Sequence, residues 1–148
     1  MENKIFRILL ADDDEGDRLL FKEALVELKI KYTVHTVNNG MQLMDYLTKE
    51  GSVLPDLIFL DLNMPRKNGL ECLKEIRSHD TFKKISIAVY STSAAEKDIN
   101  ETFHGGANVY IKKPNNFGKL KQLLHKAITT SNLYQDESFD IENFVLSI

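Results

Sequence analysis

Basic residues are too few in this chain to give it a positive field: 19 Lys and Arg stand against 22 Asp and Glu in 148 residues, a formal net charge of −3. Binding of nucleic acid or an anionic membrane through overall charge is excluded on that count. Cysteine is almost absent. With Cys72 alone, no internal disulfide can form and no second thiol is available for a zinc site. Its setting in an apolar helical pattern makes it a core residue, with a reactive thiol as the alternative. Long hydrophobic runs are missing too. The apolar stretch before Asp12 is too short for a signal-peptide core or a membrane span, so a cytoplasmic protein is expected. No repeat, low-complexity tract or Pro/Gly-rich linker divides the chain, which has 3 Pro and 7 Gly.

What is present is a regular alternation. At 43% hydrophobic and 28% charged residues, the composition is that of one globular domain with a sizeable core. Short apolar runs at 5–11, 32–37, 57–60, 85–90 and 107–111 read as strands, filled largely by β-branched and aromatic residues. Between and after them the apolar residues recur at spacings of three or four: Phe21, Leu25 and Leu28; Leu43 and Leu47; Leu70, Leu73 and Ile76; Ile99 and Phe103; Phe117, Leu120, Leu124 and Ile128. Each set lies on one helical face. Strands alternating with helices predict an α/β fold: a doubly wound, five-stranded parallel sheet with helices on both faces.

A sheet of that kind places its ligand crevice outside the carboxyl ends of the strands. There the sequence puts Asp12, Asp13 and Asp14 after the first strand, Asp61 after the third, Ser91 and Thr92 at the end of the fourth, and Lys112, Lys113 and Pro114 after the fifth. Taken singly, each has a plain structural use. Asp14 suits a helix N-cap, a Ser or Thr at a strand end suits a turn, and a lone Lys suits the surface. Carboxylates converging from two strands, however, repel unless a cation or an ammonium offsets them. A hard, oxygen-binding ion such as Mg²⁺ and the ammonium of Lys113 meet that need.

The stretches Ile8 to Asp14, Pro55 to Pro65 with Gly69 four residues on, Ser91, and Tyr110-Ile111-Lys112-Lys113-Pro114 together resemble the receiver domain of two-component response regulators. The likeness spans roughly residues 4–128, and it is similar in particular to the stand-alone receivers associated with phytochromes. It implies a flavodoxin-like fold with Asp61 as phosphoacceptor. It implies Mg²⁺ held by Asp12, Asp13, Asp61 and the backbone carbonyl of Asn63, with Lys113 as the ion-pairing ammonium and Lys112 facing outward. Ser91 matches the switch hydroxyl and Tyr110 the aromatic that follows it. Asn63 and Ser93 match positions that tune dephosphorylation, and Thr92 stands where access to the phosphoryl group is set. The Lys113–Pro114 bond is a candidate cis peptide, X–Pro bonds being the ones that tolerate that isomer.

The function so implied is acceptance of a phosphoryl group from a phosphohistidine on a sensor histidine kinase or histidine phosphotransfer protein, with output through phosphorylation-dependent protein contacts. The chain is then a signalling protein, an enzyme at most toward its own phosphorylation and dephosphorylation. One alternative is a small aspartyl-phosphate phosphohydrolase, against which Asp61-Leu62-Asn63 offers no second acid two residues on. Another is a degenerate receiver that only docks, against which the set Asp12, Asp13, Asp61, Ser91 and Lys113 is complete. None of His35, His79, His104 and His125 lies in a phosphoacceptor-helix pattern, and no close His pair suggests a metal site. Residues 1–130 form the receiver on this reading, and 131–148 an acidic-aromatic extension. The extension carries Asp136, Glu137, Asp140 and Glu142 with no Lys or Arg, and with Phe139 and Phe144 it is a candidate docking or homodimer surface.

Overall fold

The computed structural model describes residues 4–134 and 141–147. Five strands, β1 (Phe6–Ala11), β2 (Tyr32–Val37), β3 (Leu57–Leu60), β4 (Ser86–Ser91) and β5 (Val109–Lys112), alternate with five helices. These are α1 (Glu15–Val26), α2 (Gly40–Thr48), α3 (Gly69–Ser78), α4 (Glu96–His104) and α5 (Phe117–Thr129), followed by a short α6 (Ile141–Phe144). All strand pairs are parallel in the order β2-β1-β3-β4-β5. The expected doubly wound α/β sheet is therefore present, with β4 and β5 set one and two residues later than the apolar runs alone suggest. Among the described residues, no helix is long and apolar enough to cross a membrane.

Apart from the edge strand β2, the strands are largely buried on both faces, and their period of two divides the core into two layers. Leu9, Ala11, Ile58, Leu60, Ile87, Val89 and Tyr110 face α2, α3 and α4, whereas Ile8, Leu10, Leu57, Phe59, Tyr90 and Ile111 face α1 and α5. Cys72 lies in the first layer, fully buried, with its Sγ 3.6 Å from the Gly40 carbonyl. Burial pushes its thiol pKa up to about 12, which makes it an unreactive core residue.

The helices start where side chains can take up orphan N–H groups. Asp14 caps α1 by accepting from Asp17 N at 2.8 Å, as its position suggested. Asn68 and Glu71 form a reciprocal capping box on α3. By contrast, α4 has no side-chain cap, and Thr102 is its one fully buried residue, with Ile99 and Phe103 packed part-way into the core. The helix beside the β4–α4 loop is thus the least anchored of the five.

The C-terminal extension does pack, in part. Phe144 is fully buried in its own chain, and Val145 forms a parallel bridge with Tyr110 at the outer edge of β5. Of the aromatic pair expected to serve a partner or a second copy, Phe144 is engaged internally and Phe139 lies outside the described residues.

Close backbone approach fixes the loop that follows β3. Gly69 N donates to the Leu62 carbonyl at 3.0 Å, and a Cβ at Gly69 would lie 2.3 Å from the Asp61 carbonyl oxygen and 2.8 Å from Leu62 Cα. Backbone cannot rotate away as a side-chain end can. Gly69→Ala is expected to cost about 1–3 kcal/mol in urea unfolding, and wild-type stability in that variant would refute the close approach.

Candidate functional site

Strand register builds the site. Ala11 pairs with Leu60, so the next residues of β1 and β3, Asp12 and Asp61, emerge side by side, with Asp61 N donating to the Ala11 carbonyl at 3.0 Å. This is the point where the chain, having wound from β1 outward to β2, crosses back to the other side of β1. Such a reversal opens a crevice at the carboxyl ends of the strands. Across it, Ser91 pairs with Lys112, and Lys113 N donates to the Ser91 carbonyl at 2.7 Å. The strand ends so predicted from the sequence converge in one place.

The Lys113 ammonium sits at the centre. Its Nζ lies 2.8 Å from Asp12 Oδ2, 2.9 Å from Asp17 Oδ2 and 3.4 Å from Asp61 Oδ2, and 5.2 Å above the Tyr90 ring centroid. Burial alone would lower the pKa of this amine. The hydrogen bonds and fields of Asp12, Asp17 and Asp61 outweigh that cost and raise it, so Lys113 is charged throughout the physiological range. Lys112, as expected, faces solvent.

One ammonium does not balance this pocket. Asp12 is fully buried and Asp61 is 5% exposed, while Asp13 is exposed. Carboxylate oxygens of Asp12, Asp13 and Asp61 lie within 4.8 Å of one another. Asp12 Oδ2 is buried without a well-directed hydrogen bond, its compensation being the adjacent Lys113 charge. Asp12 Oδ1 accepts from Asp14 N at 3.0 Å, and Arg18 steadies the strand end by donating to the Asp12 carbonyl at 2.8 Å. A set of hard, anionic oxygens with an under-coordinated buried atom fits a divalent cation. Burial dominates the pKa of Asp61. Desolvation raises it from 3.8 to about 6, Lys113 opposing and Asp12 adding to the rise, with the Asn63 N–H, 3.3 Å from Oδ1, lowering it.

The hydroxyl and aromatic residues form a second cluster beside the first. Ser91 is fully buried, and its Oγ accepts from Ser93 N at 3.1 Å. Ser93 Oγ donates to Asp98 of α4 at 2.6 Å, and Tyr110 Oη donates to the Ser93 carbonyl at 2.8 Å. Thr92 points to solvent. A 160 Å³ opening lined by Asn63, Leu70, Asp98 and Glu101, among others, lies between the β3–α3 loop and α4.

Two results depart from the sequence reading. The Lys113–Pro114 bond is trans, with no cis peptide among the described residues. Trans is the favoured X–Pro isomer by about 0.5–1 kcal/mol, and the aim of Lys113 is already set by its bond to Ser91 and by the carboxylates. Asp17 was not anticipated as a site residue. It lies in the first turn of α1, where an acid reads as favourable to the helix dipole, and only the return of β5, 96 residues later, brings Lys113 to it.

For Asp61, a pKa higher folded than unfolded means that its negative charge costs stability. That cost is absent below about pH 4, grows between 4 and 6, and is complete above 6. Without divalent metal, Asp61→Asn is expected to stabilise the protein at pH 7.5 by on the order of 1–3 kcal/mol. The gain should shrink toward pH 4 and narrow on adding a divalent cation. Thermal unfolding across this range is the check, and equal stability of the two proteins at pH 7.5 would contradict the assignment.

The family model of the response regulator receiver domain matches residues 8–125. Response regulator Rcp1 of Synechocystis sp. is 33% identical over 121 residues, 79% of this chain and 82% of that protein. Chemotaxis protein CheY-3 of Vibrio cholerae is 32% identical over 124 residues, 84% of this chain and 92% of its own. Among solved structures, the phosphorylated cyanobacterial phytochrome response regulator RcpA is 39% identical, with a TM-score of 0.78 over 90% of this chain and 96% of that one. The Mn²⁺-bound form of Rcp1 gives a TM-score of 0.76 at 29% identity, covering 91% and 99%. Matched by the family model over most of its length and by relatives of the same fold, the chain belongs to the response regulator receiver domain family, phosphorelay signalling proteins that bind a divalent metal and work with histidine kinases.

Proposed function

We propose that Asp61 is the phosphoacceptor of this receiver, taking a phosphoryl group from a phosphohistidine with Mg²⁺ as the resident ion. The observation that carries the reading is the convergence of the Asp12, Asp13 and Asp61 carboxylates within 4.8 Å beside the Lys113 ammonium. Asp12, Asp13, Asp61 and the carbonyl of Asn63 would hold the ion, which when bound supplies charge neutralisation at the phosphoryl oxygens. Asp61, a carboxylate at neutral pH, attacks phosphorus. The P–N bond breaks as the O–P bond forms, and its electron pair returns to the imidazole. Lys113 neutralises charge gathering on the Asp61 side. Ser91 is the hydroxyl that moves to the phosphoryl group, and Tyr110 follows it, a two-state change that alters the face around α4 and β5. Any catalysis is confined to gain and loss of this group.

The same reading takes residues 1–130 as the receiver and 131–148 as its extension, in a cytoplasmic protein. The phosphohistidine donor is assigned to the groove between α1 and α5. This groove, about 470 Å³ and lined by Leu20, Val26 and Phe117 together with Glu23 and Glu27, adjoins both the helix that carries Asp17 and the segment after Lys113. Leu19, Leu20 and Val26 of α1 are exposed at 55%, 47% and 73%, an apolar stripe that suits the face of a donor helix.

Intact mass after incubation with acetyl phosphate tests the chemistry. One phosphoryl adduct is expected, needing both Mg²⁺ and Asp61 and missing in Asp61→Asn. No adduct on folded, metal-bound protein would make a docking-only receiver the better account, and turnover of varied phosphate esters would favour the phosphohydrolase. Leu20→Asp separates docking from chemistry. Labelling by acetyl phosphate should be unchanged, while transfer from a histidine kinase or phosphotransfer protein that serves the wild type slows about tenfold or more, the loss of one good apolar contact.

A further inference from the structure

The extension does more than cover an edge. After α6, Val145 bridges Tyr110, and Leu146 N donates to the Tyr110 carbonyl at 2.9 Å. Lys126 of α5 holds the Ser147 carbonyl, and Leu146 packs on the α1/α5 layer of the core. Phe144 enters the opposite layer. It is fully buried, edge-on to Phe103 of α4 at 5.3 Å and 72° and to Tyr110 at 6.0 Å and 63°. The segment therefore grips residue 110 twice, by its backbone and by its ring.

At its other end the Tyr110 ring is tied to the loop over the site. Its hydroxyl donates to the Ser93 carbonyl, Ser93 N donates to Ser91 Oγ, and Ser93 Oγ donates to Asp98. A continuous run of contacts thus joins Phe144, Tyr110, Ser93 and Ser91. A strand tyrosine has only a few staggered χ1 wells, and close packing does not let two rings share a volume. With Phe144 against its ring, and Phe103 behind Phe144, the inward well in which Tyr110 bonds Ser93 is the favoured one.

We infer that Phe144 is a positioning residue for the phosphorylated state: by holding Tyr110 inward it keeps the β4–α4 loop in the arrangement that presents Ser91 to the phosphoryl group. The inference rests on the proposed role of Asp61 and Ser91 and adds a sign to it. Segment docking and phosphoryl binding favour the same state, so each strengthens the other by an equal factor. The start of α4 is tied to this loop through Ser93, which bonds Asp98 and Ala95 N, so loop and helix respond together. The extension is then read as a brace on the active arrangement, in contrast to a plug that phosphorylation must expel.

The test uses the full chain and beryllofluoride, a phosphoryl analogue, with Mg²⁺. Phe144→Ala should leave Mg²⁺ affinity unchanged yet weaken beryllofluoride binding about 5- to 10-fold, the low end of site-to-site coupling. Phe144→Tyr should restore most of it, because a ring again fills the space. In the wild type, beryllofluoride should slow amide exchange at Leu146 by a similar factor. If Phe144→Ala fails to fold, Leu146→Pro, which removes the N–H donated to Tyr110, should produce the same selective loss. Unchanged beryllofluoride affinity in a folded Phe144→Ala protein, faster exchange at Leu146 on binding, or equal loss of Mg²⁺ and beryllofluoride affinity would overturn the inference. Failure of the wild type to bind beryllofluoride at all would remove the proposed phosphoacceptor role and this inference with it, and the two failures are told apart by that control.

Discussion

Like charges packed at the ends of two neighbouring strands repel, and in this molecule the Lys113 ammonium is the protein's own answer to that repulsion. Asp12, Asp17 and Asp61 all lie within 3.4 Å of its Nζ, with Asp13 close by. Four carboxylates near one ammonium leave a deficit of positive charge, and two of them, Asp12 and Asp61, are buried from water. Burial adds to this deficit, since desolvation raises the pKa of Asp61 to about 6 in spite of the neighbouring Lys113. It defines what the pocket will accept: a divalent cation bound to hard oxygens, and with it a group whose own oxygens need cations. Stability and function are opposed here in a physical sense, because the buried charge that weakens the fold is the charge that would hold a divalent ion.

The rest of the architecture serves to hold those charges in register. Parallel pairing of β1 with β3 sets Asp12 beside Asp61, and pairing of β4 with β5 sets Ser91 beside the residue before Lys113. The loop after β3 is fixed by Gly69 and by the capping box of α3. On this rigid floor the β4–α4 loop is held differently, through single hydrogen bonds from Ser93 and Tyr110 and a helix with one fully buried residue. A firm floor and a lightly held loop are the two parts a phosphoryl switch needs. The sheet edges differ in the same spirit. Among the described residues the β2 edge carries no further strand, whereas β5 is bridged by Val145 at Tyr110, whose hydroxyl bonds the Ser93 carbonyl.

The fold was legible in the sequence because its elements are local. Apolar runs of strand length and stripes at helical spacing identify each element within its own window. The crevice was legible for the same reason: Asp12, Asp13, Asp61, Ser91 and Lys113 each stand at the end of a recognisable strand. Asp14 could be read as a cap because capping is a contact of three residues' span. What escaped the reading is non-local. Asp17 looks like an ordinary acid in a first helical turn until α1 and β5 are placed together. The isomer before Pro114 depends on how the incoming strand aims Lys113, which no dipeptide preference decides.

Composition and pattern by themselves determined the class of fold, the order of its elements and the identity of the residues at the strand ends, since those follow from short-range propensity and the period of burial. Tertiary structure alone decided which carboxylates share the ammonium, how far burial raises Asp61, and that Phe144 leaves an acidic tail to pack against Tyr110. Each of these depends on distance and desolvation between residues far apart in the chain. Such quantities come into being only when the chain closes on itself.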